Sequence, residues 1–259
     1  MTRPLFREAV DVMVAGFRRL EQQVPKPVVV PFRDGEALRY AERTIHQALV
    51  QKLARYVSGL NAIDTLLLAG YVQEQAVIQR TLDEIGEDIT FLVLGINNGE
   101  TALHRDYLKV FWQEEFEEGI APIDNTKGRY NIARRKIRLA IEGVMGAQPG
   151  SPEVKAGSVI SQVYSGYVHA ASPHVMEMCG GEERRFFVTG LKGTSRMREH
   201  VQDAWNYSYR GLLALTMVAK AFGDGPLVDQ FYAYLARFEE ASGTAYIAEV
   251  RARYGPGSF

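Results

Sequence analysis

The sequence predicts an all-α protein, a multi-helix bundle of seven to eight helices joined by short connections. Three observations predict this fold class. Apolar residues recur at spacings near 3.6 through almost every segment of the 259-residue chain. Glycine, asparagine and proline residues punctuate those segments where helices are expected to end. The chain contains no internal repeat and no low-complexity tract.

The first predicted helix covers residues 4–24. One of its faces carries Leu5, Ala9, Val12, Gly16 and Leu20. It stops at the proline-rich run PKPVVVP, which indicates an extended connector. We therefore expect residues 1–35 to form an N-terminal helix and connector, which is either an arm or part of the core. Residues 36–259 are expected to form one helical-bundle domain, because no linker-like break follows.

Seven later helices are predicted, over residues 36–57, 63–96, 100–117, 128–146, 152–171, 195–222 and 226–241. The strongest apolar pattern belongs to the second of these, with Ile78, Leu82, Ile85, Ile89, Leu92 and Ile96. Asn97-Asn98-Gly99 supplies a stop signal for it. The exception to helical periodicity is ERRFFVTGLKG, which predicts a short extended segment near residues 184–190.

Composition places the chain among soluble proteins, with 46% apolar and 24% charged residues and a net charge of −1. No uncharged apolar run approaches the roughly 20 residues that span a bilayer. The N-terminus mixes charges through its apolar residues and does not resemble a secretory signal. The single cysteine excludes an intramolecular disulfide and a multi-cysteine zinc site. We therefore expect a cytoplasmic protein with no membrane partner.

Metal binding is not predicted. The pairs Glu42–His46 and Glu100–His104 are spaced i, i+4, whereas di-iron bundles use Glu-x-x-His on two helices. We expect no metal and no cofactor.

The stretch YSGYVHAASPHVMEMCGG concentrates residues of the types that ligate metals. However, His169, His174 and Cys179 are five residues apart, which separates successive members by about 140° around a helix. Pro173 is expected to end the helix near Ser172. Ser165 and His169 share one polar face, so His169 is a candidate site residue, while His174 and Cys179 are expected to be bystanders.

Arg80 and Glu84 are spaced i, i+4 and so lie on one helix face. That face is nearly opposite the isoleucine and leucine stripe. Periodicity therefore favours a solvent-facing ion pair of little energetic weight. The alternative is a pair turned inward by helices that pack on both sides.

A second polar stripe carries Arg196, His200, Asp203, Tyr207 and Arg210. An aspartate three residues after a histidine can orient its imidazole and favour the protonated form. The flanking arginines would suit a phosphate. The alternative is an ordinary exposed helix face, which the spacing alone favours.

One dense basic run contains Lys127, Arg129, Arg134, Arg135, Lys136 and Arg138. It would suit phosphates, and Tyr130 would suit base stacking. Because an acidic run from Glu114 to Asp124 precedes it, we expect these charges to be solvated or mutually paired.

The run GYVQEQAVIQRTLDEIGEDITFL, with Arg80 and Glu84, is followed about eighty residues later by YSGYVHAAS, with His169. Together these runs resemble an uncharacterised bacterial all-α family, a domain of unknown function grouped with HEPN-like helical bundles. The resemblance covers roughly residues 40–222. It implies that the Arg–Glu pair faces inward and that Arg80, Glu84 and His169 converge in one polar cavity.

HEPN ribonucleases carry an arginine followed by a histidine after four to six residues, and dimerisation joins two copies of the motif. This chain has Arg196 and His200 with three residues between, and Arg39 and His46 with six on an early helix. The resemblance implies a homodimer acting on nucleotide or RNA, of a bacterial toxin or defence type.

In that role His200 or His169 would act as acid and base, Asp203 would orient His200, and Arg196 or Arg80 would stabilise phosphate charge. Two other classes stay open. One is a non-catalytic scaffold that dimerises or binds a partner, and the other is a metal- or small-molecule-binding bundle.

Overall fold

A computed structural model describes residues 3–33, 35–115, 120, 122–126, 128, 130–144, 146, 159 and 162–243. This part of the chain is mostly helical, which confirms the predicted all-α bundle. The helices are α1 (Arg3–Glu21), α2 (Ile45–Ala69), α3 (Val72–Asn98), α4 (Ala102–Phe111), α5 (Arg134–Val144), α6 (162–168), α7 (Ser172–Met176), α8 (Met197–Ala221) and α9 (Gly225–Ser242). The strands are β1 (Val28–Phe32), β2 (Gly35–Arg39), β3 (Cys179–Gly180) and β4 (Arg185–Phe186). A 3-10 turn covers Pro122–Asp124.

Helix α8 lies at the centre of the bundle and packs against α1, α2, α3 and α9. Large side chains fill the core between these helices, among them Tyr56, Phe91, Phe231 and Phe238. Burial of such aromatic and aliphatic surface is the dominant stabilising contribution to the fold.

Helix α1 belongs to this same core. Phe6, Met13 and Leu20 are buried along its length. A Cβ at Gly16 would lie 2.3 Å from the Phe231 ring, so only glycine lets α9 approach this closely. The N-terminal helix is therefore packed into the bundle.

The boundaries of α2 correct two predictions. The expected break between residues 57 and 63 does not occur, because Gly59 is helical and packs on Leu82. The helix ends instead at Gly70, whose φ of 84° gives a left-handed cap. Helix α2 also begins later than expected, at Ile45, where the Thr44 side chain caps the helix.

The connector PKPVVVP enters an antiparallel hairpin rather than staying an isolated extended segment. Strands β1 and β2 pair with Val29 opposite Leu38 and Phe32 opposite Gly35. Residues 36–39, predicted to start a helix, therefore form β2.

Between α6 and α8 lie α7 and a short hairpin whose two strands, β3 and β4, have two residues each. This hairpin overlaps the predicted extended segment. We call residues 162–196 the cover segment. It is fastened at the α2–α3 turn, where the Leu191 amide donates to the Gly70 carbonyl at 2.8 Å. Closer to the start of the segment, the Gln73 side chain of α3 donates to the His174 carbonyl at 2.9 Å.

Several predicted helix ends shift. Helix α4 stops at Phe111 and α5 starts at Arg134. Residues 152–158 of the predicted 152–171 helix lie outside the described residues. Helix α6 ends at residue 168, followed by a turn with Ala170 at a φ of 49°. Pro173 lies in the first turn of α7. Across the described residues, none of the helices combines the length and apolar character that a membrane crossing requires.

Candidate functional site

Polar side chains from three helices meet between α3, α6 and α8. We call this set the polar cluster; its members are Gln75, Gln79, Asp83, Tyr164, His200, Asp203, Tyr207 and Arg210. On α3 they are spaced i, i+4, i+8, and on α8 by 3, 4 and 3, so each set lies on one helix face. Both helices place these faces toward each other, so the two glutamines, Asp83, His200 and Tyr207 are buried, whereas Tyr164 and Asp203 are half-buried and Arg210 is partly exposed.

Three interhelical hydrogen bonds organise the cluster. Arg210 donates to the Asp83 carboxylate at 2.6 Å and links α8 to α3. The Tyr164 hydroxyl donates to Asp203 at 3.1 Å and links α6 to α8. The Gln75 amide donates to the His200 carbonyl at 3.1 Å.

Many polar atoms of this region have no hydrogen-bond partner although they are buried. They are Gln75 Oε1, both amide atoms of Gln79 and His200 Nδ1, together with one Arg80 guanidinium nitrogen and His174 Nδ1 nearby. The Asp83 carboxyl and the Tyr207 hydroxyl interact with each other in the same region. Elsewhere in the described residues, the same condition holds only for side-chain atoms of Trp112, Trp205 and Tyr234. Each unpaired buried group costs about 1–3 kcal/mol. Such a concentration of unmet hydrogen bonds distinguishes this region from the rest of the described core and makes it the candidate site.

Burial sets the protonation of the cluster. It lowers the pKa of His200, and the nearby carboxylates of Asp203, Glu177 and Glu199 offset this only in part. Burial also raises the pKa of Asp203, against the hydrogen bond from Tyr164. It raises the pKa of Asp83 despite the neighbouring Arg210. The imidazole of His200 is thus neutral at pH 7, with its Nδ1 available.

Aromatic rings wall the cluster on the side of the cover segment. The Tyr164 ring meets Tyr207 edge to face at 6.1 Å between centroids. Tyr167 meets His174 at 4.4 Å and His200 at 6.3 Å. A Cβ at Gly166 would lie 2.1 Å from the His174 ring, so this ring rests directly on the α6 backbone.

Arg80 and Glu84 form the expected ion pair at 2.8 Å, but the pair is not simply solvent-facing. The Arg80 side chain is only 18% exposed and Glu84 is 41% exposed. Arg80 lies beside the polar cluster, whereas Glu84 borders a pocket on the other side of α3. The inward reading that periodicity disfavoured therefore holds for Arg80.

Among the other candidate residues, His169 and Arg196 are exposed at the ends of α6 and α8 and do not join the cluster. His200, in contrast, is only 6% exposed, and Tyr207 is buried too. The interpretation of the α8 stripe as an ordinary exposed face is therefore wrong for its centre. It fails because α3 and α6 cover α8 on that side.

The position of His174 did not follow from the sequence. The chain turns back after α6, and this brings His174 onto Gly166 and Tyr167. Five-residue spacing scatters groups only while one helix continues, and here it does not. Cys179 is half-buried on β3 and its thiol donates to the Arg184 carbonyl at 3.2 Å.

The basic run is paired, but with unexpected partners. Arg134 binds Glu87 at 2.6 Å and also contacts the Asp88 carboxylate, and Arg138 binds Glu87 at 2.7 Å. These acids belong to α3 rather than to the preceding acidic run. Lys127 and Arg129 lie outside the described residues.

Sequence reasoning missed the glutamines and Asp83. Gln75, Gln79 and Asp83 recur every four residues beside the isoleucine and leucine stripe, and this recurrence is the signal that would have found them. Among described residues, no group of three or more histidine, cysteine, aspartate or glutamate side chains is arranged to hold a metal ion.

The fold and the site define an all-α bundle with a buried polar cluster covered by a short irregular segment. Comparison with models of protein families, with curated proteins and with solved structures finds no match.

Proposed function

We propose that the protein binds a nucleotide, or a small polar molecule with a similar hydrogen-bonding edge, at the polar cluster. The observation that supports this most directly is the concentration of unpaired buried polar atoms. A ligand that formed hydrogen bonds with these atoms would gain binding free energy, because the atoms have no partners in the unbound protein. Both donors and acceptors are unpaired, so the ligand must offer both.

Gln79 is proposed to recognise the ligand through hydrogen bonds. It is 0% exposed and both its amide oxygen and its amide nitrogen lack partners. A carboxamide with both atoms available forms paired hydrogen bonds with a nucleobase edge, as glutamine does with adenine. Tyr164 and Tyr167 provide aromatic faces of the kind on which bases stack.

Arg80 and Arg210 would bind the phosphate group of the nucleotide. Arg80 has a buried guanidinium nitrogen without a partner, and Arg210 is exposed over 43% of its side chain while it binds Asp83. Guanidinium groups form strong, charge-assisted hydrogen bonds with phosphate oxygens.

His200 is the proposed catalytic residue. A neutral imidazole with a lowered pKa is suited to act as a general base at pH 7, and Asp203 lies one helical turn away to steady the imidazolium that forms. Because His200 is buried beneath the ring of Tyr167, a mononucleotide fits this arrangement better than a long RNA chain.

Ligand entry requires movement. The unpaired atoms are buried, and Tyr164 and Tyr167 of the cover segment contact Tyr207 and His200, so this segment is the element proposed to shift before a ligand reaches them. This segment contacts the core through few tertiary hydrogen bonds, which makes it the element that opens at least cost.

The test is a thermal-shift and calorimetric titration with AMP, ATP, GMP and CMP. We expect at least one to bind the wild type, and Gln79→Leu to lose about tenfold or more in affinity. Tyr234→Phe, which alters an unpaired buried group far from the cluster, is the matched control and retains binding. Absence of binding by all four nucleotides would refute the proposal.

Catalysis needs a separate experiment. Incubation of the protein with nucleotides and with mixed RNA, followed by chromatography, is expected to show a product that disappears in His200→Gln. If every substrate stays intact while nucleotide still binds, the protein is a binding module and His200 has no catalytic role.

A second candidate, the dimerising scaffold, is favoured by the β1–β2 hairpin. Val29 and Leu38 lie opposite each other on one face and are 60% and 62% exposed. An exposed apolar pair on a strand ribbon is suited to meet the same pair of a second copy. Light scattering across a concentration series is expected to show a dimer that Val29→Ser and Leu38→Ser dissociate, and a wild-type monomer would contradict this.

A further inference from the structure

A pocket of about 450 Å³ opens on the face of α3 opposite the polar cluster, between α2, α3, α4 and α5. Its volume falls in the range of small-molecule sites, about 300–1,000 Å³. Its polar lining includes Lys52, Glu84, Asp88 and Arg134, and its apolar lining includes Phe111 and Ile137. No residue of the α8 stripe contributes to it.

The ammonium of Lys52 is held in a fixed place within this pocket. It donates to Asp88 at 2.7 Å and lies over the rings of Tyr107 and Phe111, at 5.7 and 5.0 Å from their centroids. These two rings are nearly parallel to each other. Cation–π contacts of this kind fix the ammonium without using its hydrogens.

Lys52 retains hydrogen-bonding capacity toward the pocket. An ammonium carries three donors, and within the described residues the hydrogen bond to Asp88 is its only one. Both oxygens of Asp88 are engaged, because Arg134 contacts the second one. Since an ammonium can only donate, a ligand that meets Lys52 must bring an acceptor, and a carboxylate is the strongest one available.

A negative group stands nearby. Glu84 precedes Asp88 by one helical turn and also lines the pocket, and within the described residues its carboxylate pairs only with Arg80. A simple anion bound to Lys52 would be repelled by Glu84. A molecule that carries an ammonium close to its carboxylate would instead satisfy both side chains.

The remaining walls are apolar. Val110, Phe111, Ile132 and Ile137 line the pocket beside the charged groups. Burial of a hydrocarbon side chain against them would contribute about 25 cal/mol per Å² of apolar area.

We propose that this pocket binds a hydrophobic α-amino acid as its zwitterion. The ligand carboxylate accepts from Lys52, its ammonium donates to Glu84, and its side chain lies against the aromatic and aliphatic walls. Glu84 and the Lys52 partner Asp88 lie one helical turn apart on α3, which places the negative and the positive protein charge on the same wall of the pocket. The site lies on the face of α3 opposite the proposed nucleotide site, and the Arg80–Glu84 ion pair joins the two.

Calorimetric titration with L-leucine and L-phenylalanine tests the proposal. Both are expected to bind, whereas N-acetyl-L-leucine, which lacks the ammonium, and L-leucinamide, which lacks the carboxylate, are expected to bind about tenfold or more weakly. Equal affinity for leucine and N-acetyl-leucine would overturn the zwitterion assignment. Failure of both amino acids to bind would overturn the site.

Variants separate the two contacts. Glu84→Gln is expected to weaken leucine while leaving N-acetyl-leucine unchanged or tighter, because it removes the ammonium partner and the repulsion together. Glu84 is half-exposed, so this variant keeps its fold, which circular dichroism checks. Glu74→Gln, on an exposed position of the same helix, is the matched control and retains leucine affinity. Unchanged leucine affinity in Glu84→Gln would refute the role of Glu84.

Discussion

Tyr234 is a buried tyrosine outside the polar cluster whose hydroxyl has no hydrogen-bond partner, whereas the Tyr207 hydroxyl inside the cluster interacts with the Asp83 carboxyl. Removal of the unpaired Tyr234 hydroxyl is expected to stabilise the fold by about 1 kcal/mol. Tyr234→Phe should therefore raise the midpoint of urea unfolding, whereas Tyr207→Phe, which also removes the interaction with Asp83, should not. Only Tyr207→Phe is expected to weaken nucleotide binding, and a loss of binding in Tyr234→Phe would contradict the placement of the site.

His200 gives the cluster a pH dependence. Burial lowers its pKa below the ordinary value of 6.5, so below that pH the unfolded chain binds a proton that the folded protein resists. The contribution of His200 to stability is therefore present above about pH 6.5 and is lost as pH falls through the lowered pKa. Urea unfolding from pH 5 to pH 7.5 is expected to show a shallower rise in unfolding free energy for His200→Gln than for wild type.

Two further groups act in the same experiment. Burial also lowers the pKa of His46, so His46→Gln is a control that removes a similar slope from outside the cluster. Asp203 has a raised pKa, and its contribution is lost as pH rises above about 3.8 through that raised value, which opposes the slope of His200. An unchanged slope in His200→Gln would show that the imidazole titrates normally.

At this scale the sequence predicted residue types better than it predicted their environment. His200, Asp203 and Arg80 were singled out from spacing, and they lie in or beside the cluster. His169 is exposed while His174 packs on Tyr167 near the cluster, because a turn at Ala170 redirects the chain in a direction that local patterns do not predict. Tertiary packing decides which face of a polar stripe is covered, and spacing alone carries no such information.

Glycines fasten the cover segment to the bundle at the α2–α3 turn. Gly70 has a φ of 84°, and a Cβ there would lie 2.5 Å from the Lys192 amide nitrogen, which is backbone and cannot move aside. Gly70→Ala is expected to destabilise the protein by about 2–3 kcal/mol and to loosen residues 162–196. Proteolysis and hydrogen exchange of that segment measure the effect.

Gly243 is the matched control. Its φ of 74° and ψ of 27° place it in the same left-handed region as Gly70, at the end of α9, but nothing lies within 4 Å of its Cβ position. Gly243→Ala should therefore cost only the strain, about 1 kcal/mol, and leave the cover segment protected. Equal protection of the segment in both variants would show that the contact at Gly70 does not hold it.

Helix α3 serves two sites at once. One of its faces carries Gln79 and Asp83 toward α8, while Glu84 and Asp88 face the pocket beside α4 and α5. The isoleucine and leucine stripe, which sequence periodicity detected, lies between these faces. The helix could be predicted because its apolar positions repeat regularly. The helices that pack against its two faces could not be predicted, since they come from distant parts of the chain.

For the whole molecule, one hydrophobic cluster joins residues of α1, α2, α3, α8 and α9. We therefore expect a single cooperative unfolding transition. The two tryptophans test this from separate places, because Trp112 follows α4 and Trp205 is stacked on Tyr209 and Phe238 in the α8–α9 core. In Trp112→Phe and in Trp205→Phe, the remaining fluorescence should change at the same urea concentration as far-ultraviolet circular dichroism. Separate midpoints would indicate two folding units.

The architecture followed from the sequence, whereas the layout of the sites did not. Periodicity and stop signals gave the class, and most helices appear where they were expected. The pairing of Arg134 and Arg138 with Glu87, and of Arg210 with Asp83, joins residues about fifty to more than a hundred positions apart. Such contacts depend on how helices are arranged in space, and local spacing does not encode that arrangement.

Cys179 allows the cover segment to be labelled with a fluorescent dye without any substitution in that segment. It is the only thiol in the chain, and it lies within this segment, between α7 and β4. A thiol-reactive dye would therefore label the native sequence at one place, with Trp205 in the bundle core as an energy donor in the Trp112→Phe background. The efficiency of energy transfer would then follow the opening and closing of the segment in real time as nucleotide is added.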